Sequence, residues 1–404
     1  MKYRADFSRV FTAGLCAAVF LVFQACGPKN VPDQYREKVE ASLNKAGENR
    51  AELEKALEMA PEGQKEGLAF LISYMPERDL KSLSSDYLLK NLKWAYKAKN
   101  EFPWAKAIPD SVFYNDVLPY ATMNERRDDW RGDFYKKFSA VVRDCKDVRA
   151  AIDSVNRNIK NIVGVKYSTA RPKPDQSPYE SMDCGLASCS GLSVLLTDAF
   201  RSVGIPSRIA GTPLWTTKKG NHNWNEVYVD GKWHFTEYYP SGTLDRAWFL
   251  GDAGKADPSK AVHWIYASSF KPAQTHFPLV WDEDIKYVHA QNVTDRYINL
   301  YHEANKEKAA NANKVTVGVV MFKTAGCSMG DDRVSTPVSV YEGKKKLASG
   351  TTSGPTDDMN NLLEFRLKKK TKYTFEYKDG KGLLVRQDVE VGEKGSQVRL
   401  YLNR

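Results

Sequence analysis

The chain has 404 residues, 42% of them hydrophobic and 27% charged, and carries a net charge of +10. That is apolar material for two or three packed domains, and it excludes an intrinsically disordered chain. The basic excess is modest, its runs Lys344-Lys345-Lys346 and Lys368-Lys369-Lys370 read as solvated strand ends or turns, and no basic and aromatic interleaving marks a nucleic-acid module, so no nucleic-acid partner is expected.

Lys2, Arg4 and Arg9 precede an apolar stretch over 10–23. Its length falls short of the ~20 residues that cross a bilayer and fits a signal-peptide core. Phe23 spoils an ordinary small-residue cleavage site, whereas Ala25-Cys26 followed by Gly27-Pro28 is similar to a lipoprotein junction with Cys26 as the lipid attachment point. The expectation is an exported bacterial envelope protein held to the membrane by that lipid, with a secreted soluble form as the alternative. Removing residues 1–25 takes away Lys2, Arg4, Arg9 and Asp6 and lowers the charge from +10 to +8.

The chain then becomes rich in Glu, Lys, Leu and Ala, with Tyr35, Val39 and Leu43, and then Leu53 and Leu57, at helical spacing. A helical region is expected over 26–123. The charge-dense segment 124–131 reads as a salt-bridged cap on the domain beyond it.

Cys189 begins a run in which Leu192, Leu195, Leu196, Ala199, Phe200 and Val203 recur at steps of three and four, the spacing of an amphipathic helix. Gly204 and Pro206 end it, glycine by a left-handed turn and proline by forbidding continuation. The cysteine therefore sits where backbone N–H groups point outward and the macrodipole favours an anion, which suits a nucleophile. His222 opens a strand over 222–229, Asp230-Gly231 is a two-residue turn, and the chain returns over 232–239. In that register Val229 lies opposite Lys232 and Trp224 opposite Glu237, so Glu237 shares a face with His222, one step diagonal. A carboxylate there would hold the imidazole tautomer whose other nitrogen takes the thiol proton. Cys189, His222 and Glu237 form a candidate catalytic triad, with Glu226, Asp245 or an amide as alternatives for the third member.

The strings Cys189-Ser-Gly-Leu-Ser193, Phe200-Arg-Ser-Val-Gly-Ile-Pro-Ser-Arg208, His222-Asn-Trp224 and Asp230-Gly-Lys-Trp233 together resemble the core of the transglutaminase-like superfamily, over residues 154–239. Gly211-Thr-Pro-Leu-Trp215 and Gly220-Asn-His-Asn-Trp224 resemble a bacterial exported lipoprotein subgroup. The resemblance implies a papain-like α+β fold with Cys189 as nucleophile, His222 as base and Glu237 where the family usually has aspartate. It also implies acyl transfer from the peptide, glutamine or isopeptide amide of a peptide or protein substrate. Hydrolysis is favoured over cross-linking, because no amine-holding site is visible. The alternative is a catalytically idle envelope protein that binds a glycan or peptide on the same scaffold.

The Cys189 backbone N–H supplies one donor to a tetrahedral oxyanion, and Gln176, Tyr167 or another group the second. Trp215 and Trp224 flank the base and are expected to shape the substrate cleft. Cys184 lacks the spacing of a zinc pair; a bridge to Cys145 is conceivable, with a plain buried thiol favoured, and neither metal nor organic cofactor is expected. From about residue 314 the texture changes to short alternating runs, 315–322, 337–341, 365–367, 372–378 and 398–402, with a turn at Asp379-Gly380. These predict a C-terminal antiparallel β-sandwich suited to spacing or to docking a glycan or protein. The expected order is therefore a signal peptide (1–25), a helical region (26–123), a transglutaminase-like catalytic domain (124–312) and the sandwich (313–404).

Overall fold

A computed structural model describes residues 31–238, 243–305 and 313–403; the expected leader and Cys26 lie outside these residues. Helices Asp33–Lys45, Arg50–Met59, Lys65–Tyr74 and Ser85–Glu101 close around a core that includes Val39, Leu43, Leu53, Leu57, Leu68 and Leu88. The three- and four-residue spacing gives each helix one apolar face to bury. Among the described residues, no helix is long and apolar enough to cross a membrane.

The charged segment 124–131 is salt-bridged as its pattern implies, and most of it is buried, with Arg126 and Asp129 left exposed. Arg127 pairs with Asp79 at 3.0 Å, both side chains almost fully buried, and Arg131 donates to the carbonyls of Val117, Leu118 and Pro119. Charges survive burial when every donor is matched, and here the matching stitches the helical region to the helices Arg131–Val142 and Val148–Val163.

Helix Cys189–Ser202 starts where the sequence places it, capped by Ser188, whose hydroxyl accepts from the Gly191 N–H at 3.0 Å. Gly204 ends it with φ 74°. Its leucine face is buried, and so is its polar face: residues 190–202 are all buried. The helix lies between two helices and a sheet, so its polar groups meet protein instead of water. Asn223 donates to Ser190 Oγ at 2.7 Å, and Asn225 donates to the Ser193 carbonyl and Thr197 Oγ1, each at 2.8 Å.

That sheet has six strands in the order Lys232–Thr236, His222–Val229, Ser207–Thr212, Tyr266–Ser269, His289–Asn292 and Thr275–His276, all antiparallel. The hairpin has the expected register, Val229 opposite Lys232 through Asn225 opposite Thr236, and its turn residues Asp230 and Gly231 both have positive φ. The return strand stops at Thr236, one residue short of Glu237. Gly211 lies opposite Asn223 in the adjacent strand, and a Cβ there would fall 1.9 Å from Asn223 Oδ1.

Seven strands among the described C-terminal residues form sheets of four and three around one core that includes Val319, Phe365, Tyr373, Phe375 and Leu400. Strand pairing is antiparallel except for Ser396–Tyr401, which runs parallel to Lys314–Phe322. The chain between Lys345–Thr351 and Leu363–Lys368 leaves the sandwich and leans on the helix-and-sheet unit that carries Cys189 and His222. Arg333, 2% exposed, clamps it by donating to the carbonyls of Asp358 and Asn361 at 2.9 and 3.1 Å. Asn360 reaches across to the Asn221 carbonyl at 3.0 Å, and Ser168 donates to Asp331 at 3.0 Å.

Candidate functional site

Cys189 is the first residue of its helix and His222 the first of its strand, so the two meet where the start of the helix and the start of the strand converge. The imidazole is 3% exposed and boxed by rings, with Trp248 at 4.9 Å, Phe249 at 5.2 Å, Trp224 at 5.7 Å and Trp215 at 6.3 Å between centroids. Trp224 is itself pinned: its Nε1 donates to the Tyr297 hydroxyl at 2.6 Å, which donates to Glu226 at 2.7 Å.

Three chemical groups cluster: the Cys189 sulfur, a His222 ring nitrogen and a carboxylate oxygen of Asp358 all lie within 4.8 Å of one another. Asp358 Oδ2 stands 3.3 Å from His222 Nδ1, whereas Glu237 Oε2 is 3.9 Å from Nε2 and accepts from Trp248 Nε1 at 3.1 Å. The nearest acid to the imidazole is thus on the C-terminal sandwich, not on the hairpin. Glu237 does share the face of His222, but the strand ends before it and the indole takes its oxygen. Neither alternative acid reaches the ring: Glu226 is bound by Arg208 and Tyr297, and Asp245 by His234 and the Phe235 N–H.

Electrostatics separate the two carboxyls. Burial alone would hold His222 below its usual value, but the Asp358 carboxylate, seconded by Cys189, outweighs it and lifts the imidazole to about 10. Burial likewise opposes the Asp358 anion, and His222 with the Asn360 N–H more than compensates, leaving Asp358 below the ordinary carboxylate value. For Glu237 burial wins over the nearby imidazole, and its carboxyl rises to about 7. One acid is a committed anion; the other is poised near neutrality.

Cys189 opens into a cavity of about 480 Å³ lined also by Tyr167, Arg171, Pro174, Lys219, Trp281, Asp358 and Met359. Trp215 and Trp224 are absent from this wall. They are 3% and 0% exposed, stacked parallel at 6.1 Å, and belong to the core behind the imidazole, which corrects their expected place in the cleft. Alternation puts Trp224 on the face of His222, where Phe249 and Tyr297 pack over it, and Trp281 is the indole of the cavity wall. Of the two second oxyanion donors, Gln176 is turned inward, its amide spent on the carbonyls of Glu180 and Leu186, while Tyr167 borders the cavity beside Cys189. Among the described residues Cys145, Cys184, Cys189 and Cys327 are free thiols, and Cys184 is exposed rather than buried. The sulfur, nitrogen and oxygen of Cys189, His222 and Asp358 are also a three-donor set of the kind that can hold a divalent cation with one position open.

A cysteine at a helix start thus faces a histidine on an antiparallel sheet, with an aspartate against that histidine, on a mixed helix-and-sheet core of the transglutaminase-like kind. The family model described as "Transglutaminase-like superfamily" matches residues 137–237 of the chain. Solved structures similar to it include a candidate cysteine protease from Cytophaga hutchinsonii, at 16% identity over 27% of this chain and 37% of that one, with a TM-score of 0.24. Another is the transglutaminase of red sea bream, at 11% identity over 65% of this chain and 58% of that one, with a TM-score of 0.27. The chain thus spans less than two thirds of either protein. No curated protein matches it.

Proposed function

We propose that the protein is a thiol acyl-transfer enzyme in which Cys189 attacks an amide carbonyl, His222 carries the proton and Asp358 orients and charges the imidazole. The observation that carries this reading is the Cys189–His222–Asp358 cluster at the mouth of a cavity. Attack forms a bond from sulfur to the carbonyl carbon; the Cys189 N–H and the Tyr167 hydroxyl receive the oxyanion. Imidazolium then protonates the leaving amine as the C–N bond breaks, leaving a thioester on Cys189. Water, deprotonated by the same imidazole, releases the acid. Hydrolysis of a peptide or protein amide is the favoured outcome, with amine acceptors as the competing one. The basic and apolar leader and Cys26 support export and attachment to the bacterial envelope by a lipid.

The test is a screen of peptide amides scored for release of the amine and for incorporation of a fluorescent amine. Wild type turns over and Cys189→Ala loses on the order of 10³-fold or more with an unchanged circular dichroism spectrum. Equal turnover by both proteins refutes the assignment, and amine incorporation exceeding release reverses the preference for water.

A further inference from the structure

The cavity in front of Cys189 is cationic for a reason the triad does not use. Arg171 and Lys219 enter its wall from two separate segments, the chain just after Lys166–Tyr167 and the loop before His222. Neighbouring cations are neutralised: Lys173 pairs with Glu180 at 3.0 Å and Lys218 with Asp252 at 2.7 Å. Arg171 meets a neutral acceptor, the Ser168 carbonyl at 3.2 Å, and among the described residues neither it nor Lys219 has a carboxylate within ion-pair distance. Among the described residues the single carboxylate in the wall, Asp358, is occupied by His222. Val280, Pro174 and Met359 add apolar surface to a wall that also holds Ser188, Ser190, Asn221 and Asn360.

Unneutralised cations that converge from two segments on a partly enclosed nucleophile raise the local concentration of anions, and a guanidinium grips a carboxylate through two parallel hydrogen bonds. We infer that the site selects an acyl donor bearing a carboxylate close to the scissile carbonyl, an acidic peptide with an adjoining apolar residue, and that Arg171 and Lys219 hold that carboxylate. The inference rests on Cys189 being the nucleophile of the proposed function. It assigns the two cations to specificity.

The test compares alkylation of Cys189 by iodoacetate and by iodoacetamide, with glutathione as the reference thiol, in wild type and in the Arg171→Gln, Lys219→Gln double variant. The ratio of the two rates cancels changes in thiol reactivity and reads the field of the site. At low salt the wild-type ratio is expected to exceed that of glutathione by roughly tenfold and to shrink with added salt. In the double variant it is expected to fall at least threefold, His222 keeping the remainder. A companion measurement compares peptide amides carrying Glu or Gln beside the scissile bond: Glu lowers KM in wild type, and the double variant removes that advantage. A reactive Cys189 with a ratio equal to that of glutathione, or a ratio that the double substitution leaves in place, overturns the specificity assignment alone. Silence of Cys189 towards both reagents refutes the nucleophile reading and this inference with it.

Discussion

Replacing Asp358 by Asn removes the charge that holds His222 cationic while keeping the shape of the side chain and the amide oxygen that can take its place. The lift from the ordinary 6.5 to about 10 is a preference for imidazolium on the order of 5 kcal/mol, shared between Asp358 and the weaker contribution of Cys189. Without the carboxylate, burial is the dominant influence and acts downward, so the imidazole is expected to titrate at or below 6.5. Roughly a quarter or fewer of the rings then stay protonated at pH 7, and the share falls tenfold per further pH unit. The assay is a long-range ¹H–¹⁵N titration of the histidine side chains, with His222 assigned by its loss in His222→Gln. Unfolding provides a second reading: a group whose folded value lies above its unfolded one contributes stability that is complete below pH 6.5 and is lost as pH rises through 10. Wild type should lose stability across that window and Asp358→Asn should not. Turnover should fall by roughly 10²–10⁴, the cost of a misoriented catalytic imidazole. A His222 that still titrates near 10 in Asp358→Asn would show that another group charges the ring, and the role given to the sandwich would fall.

Glu237→Gln gives the contrasting result. The Glu237 carboxyl, raised from 4.5 to about 7 by burial, makes the folded protein lose stability as pH climbs through that interval, so the variant should equal wild type below pH 4.5 and exceed it above pH 7 by up to roughly 3 kcal/mol. Urea midpoints at pH 4.5 and 8.5 measure this, and turnover should persist; inactivation matching Asp358→Asn would make Glu237 the orienting acid. Arg333→Met frees the carbonyls of Asp358 and Asn361 and lets the acid drift, with an expected drop of roughly 10²-fold in kcat while Cys189 still alkylates. Unchanged kcat would mean that the clamp is dispensable. Gly211→Ala forces a Cβ to 2.7 Å from the His222 carbonyl and closer still to Asn223 Oδ1, and a loss of about 2 kcal/mol or more in unfolding free energy is expected. A wild-type midpoint there would show that the strand pair has slack.

Residue periodicity determined the local part of this protein. The helix beginning at Cys189, its glycine stop and the register of the hairpin arise from steps of three and four, from a left-handed turn and from a two-residue loop, all of which are set by neighbours in the chain. The same logic read five strands of the sandwich but missed Lys345–Thr351, which is exposed along almost its whole length, and Leu384–Val391, of which only one side meets the core. It placed Glu237 on the face of His222 and could not see that the strand would end at Thr236 and an indole would claim the carboxylate. The two tryptophans were assigned to a cleft because sequence distance to the histidine was short, whereas the side of a sheet that becomes core depends on what packs against it.

Asp358 carries no local signal at all. It sits in a turn-rich stretch beside Gly354, Pro355 and Asp357, far along the chain from the histidine it charges, and its position is set by Arg333, by Asn360 reaching Asn221 and by the docking of one folded unit on another. Short-range backbone preferences decide where a helix starts and how a hairpin closes, and those are written in consecutive residues. Which carboxylate reaches a buried imidazole is a question of long-range packing and compensated desolvation, and it had no answer until the chain was folded.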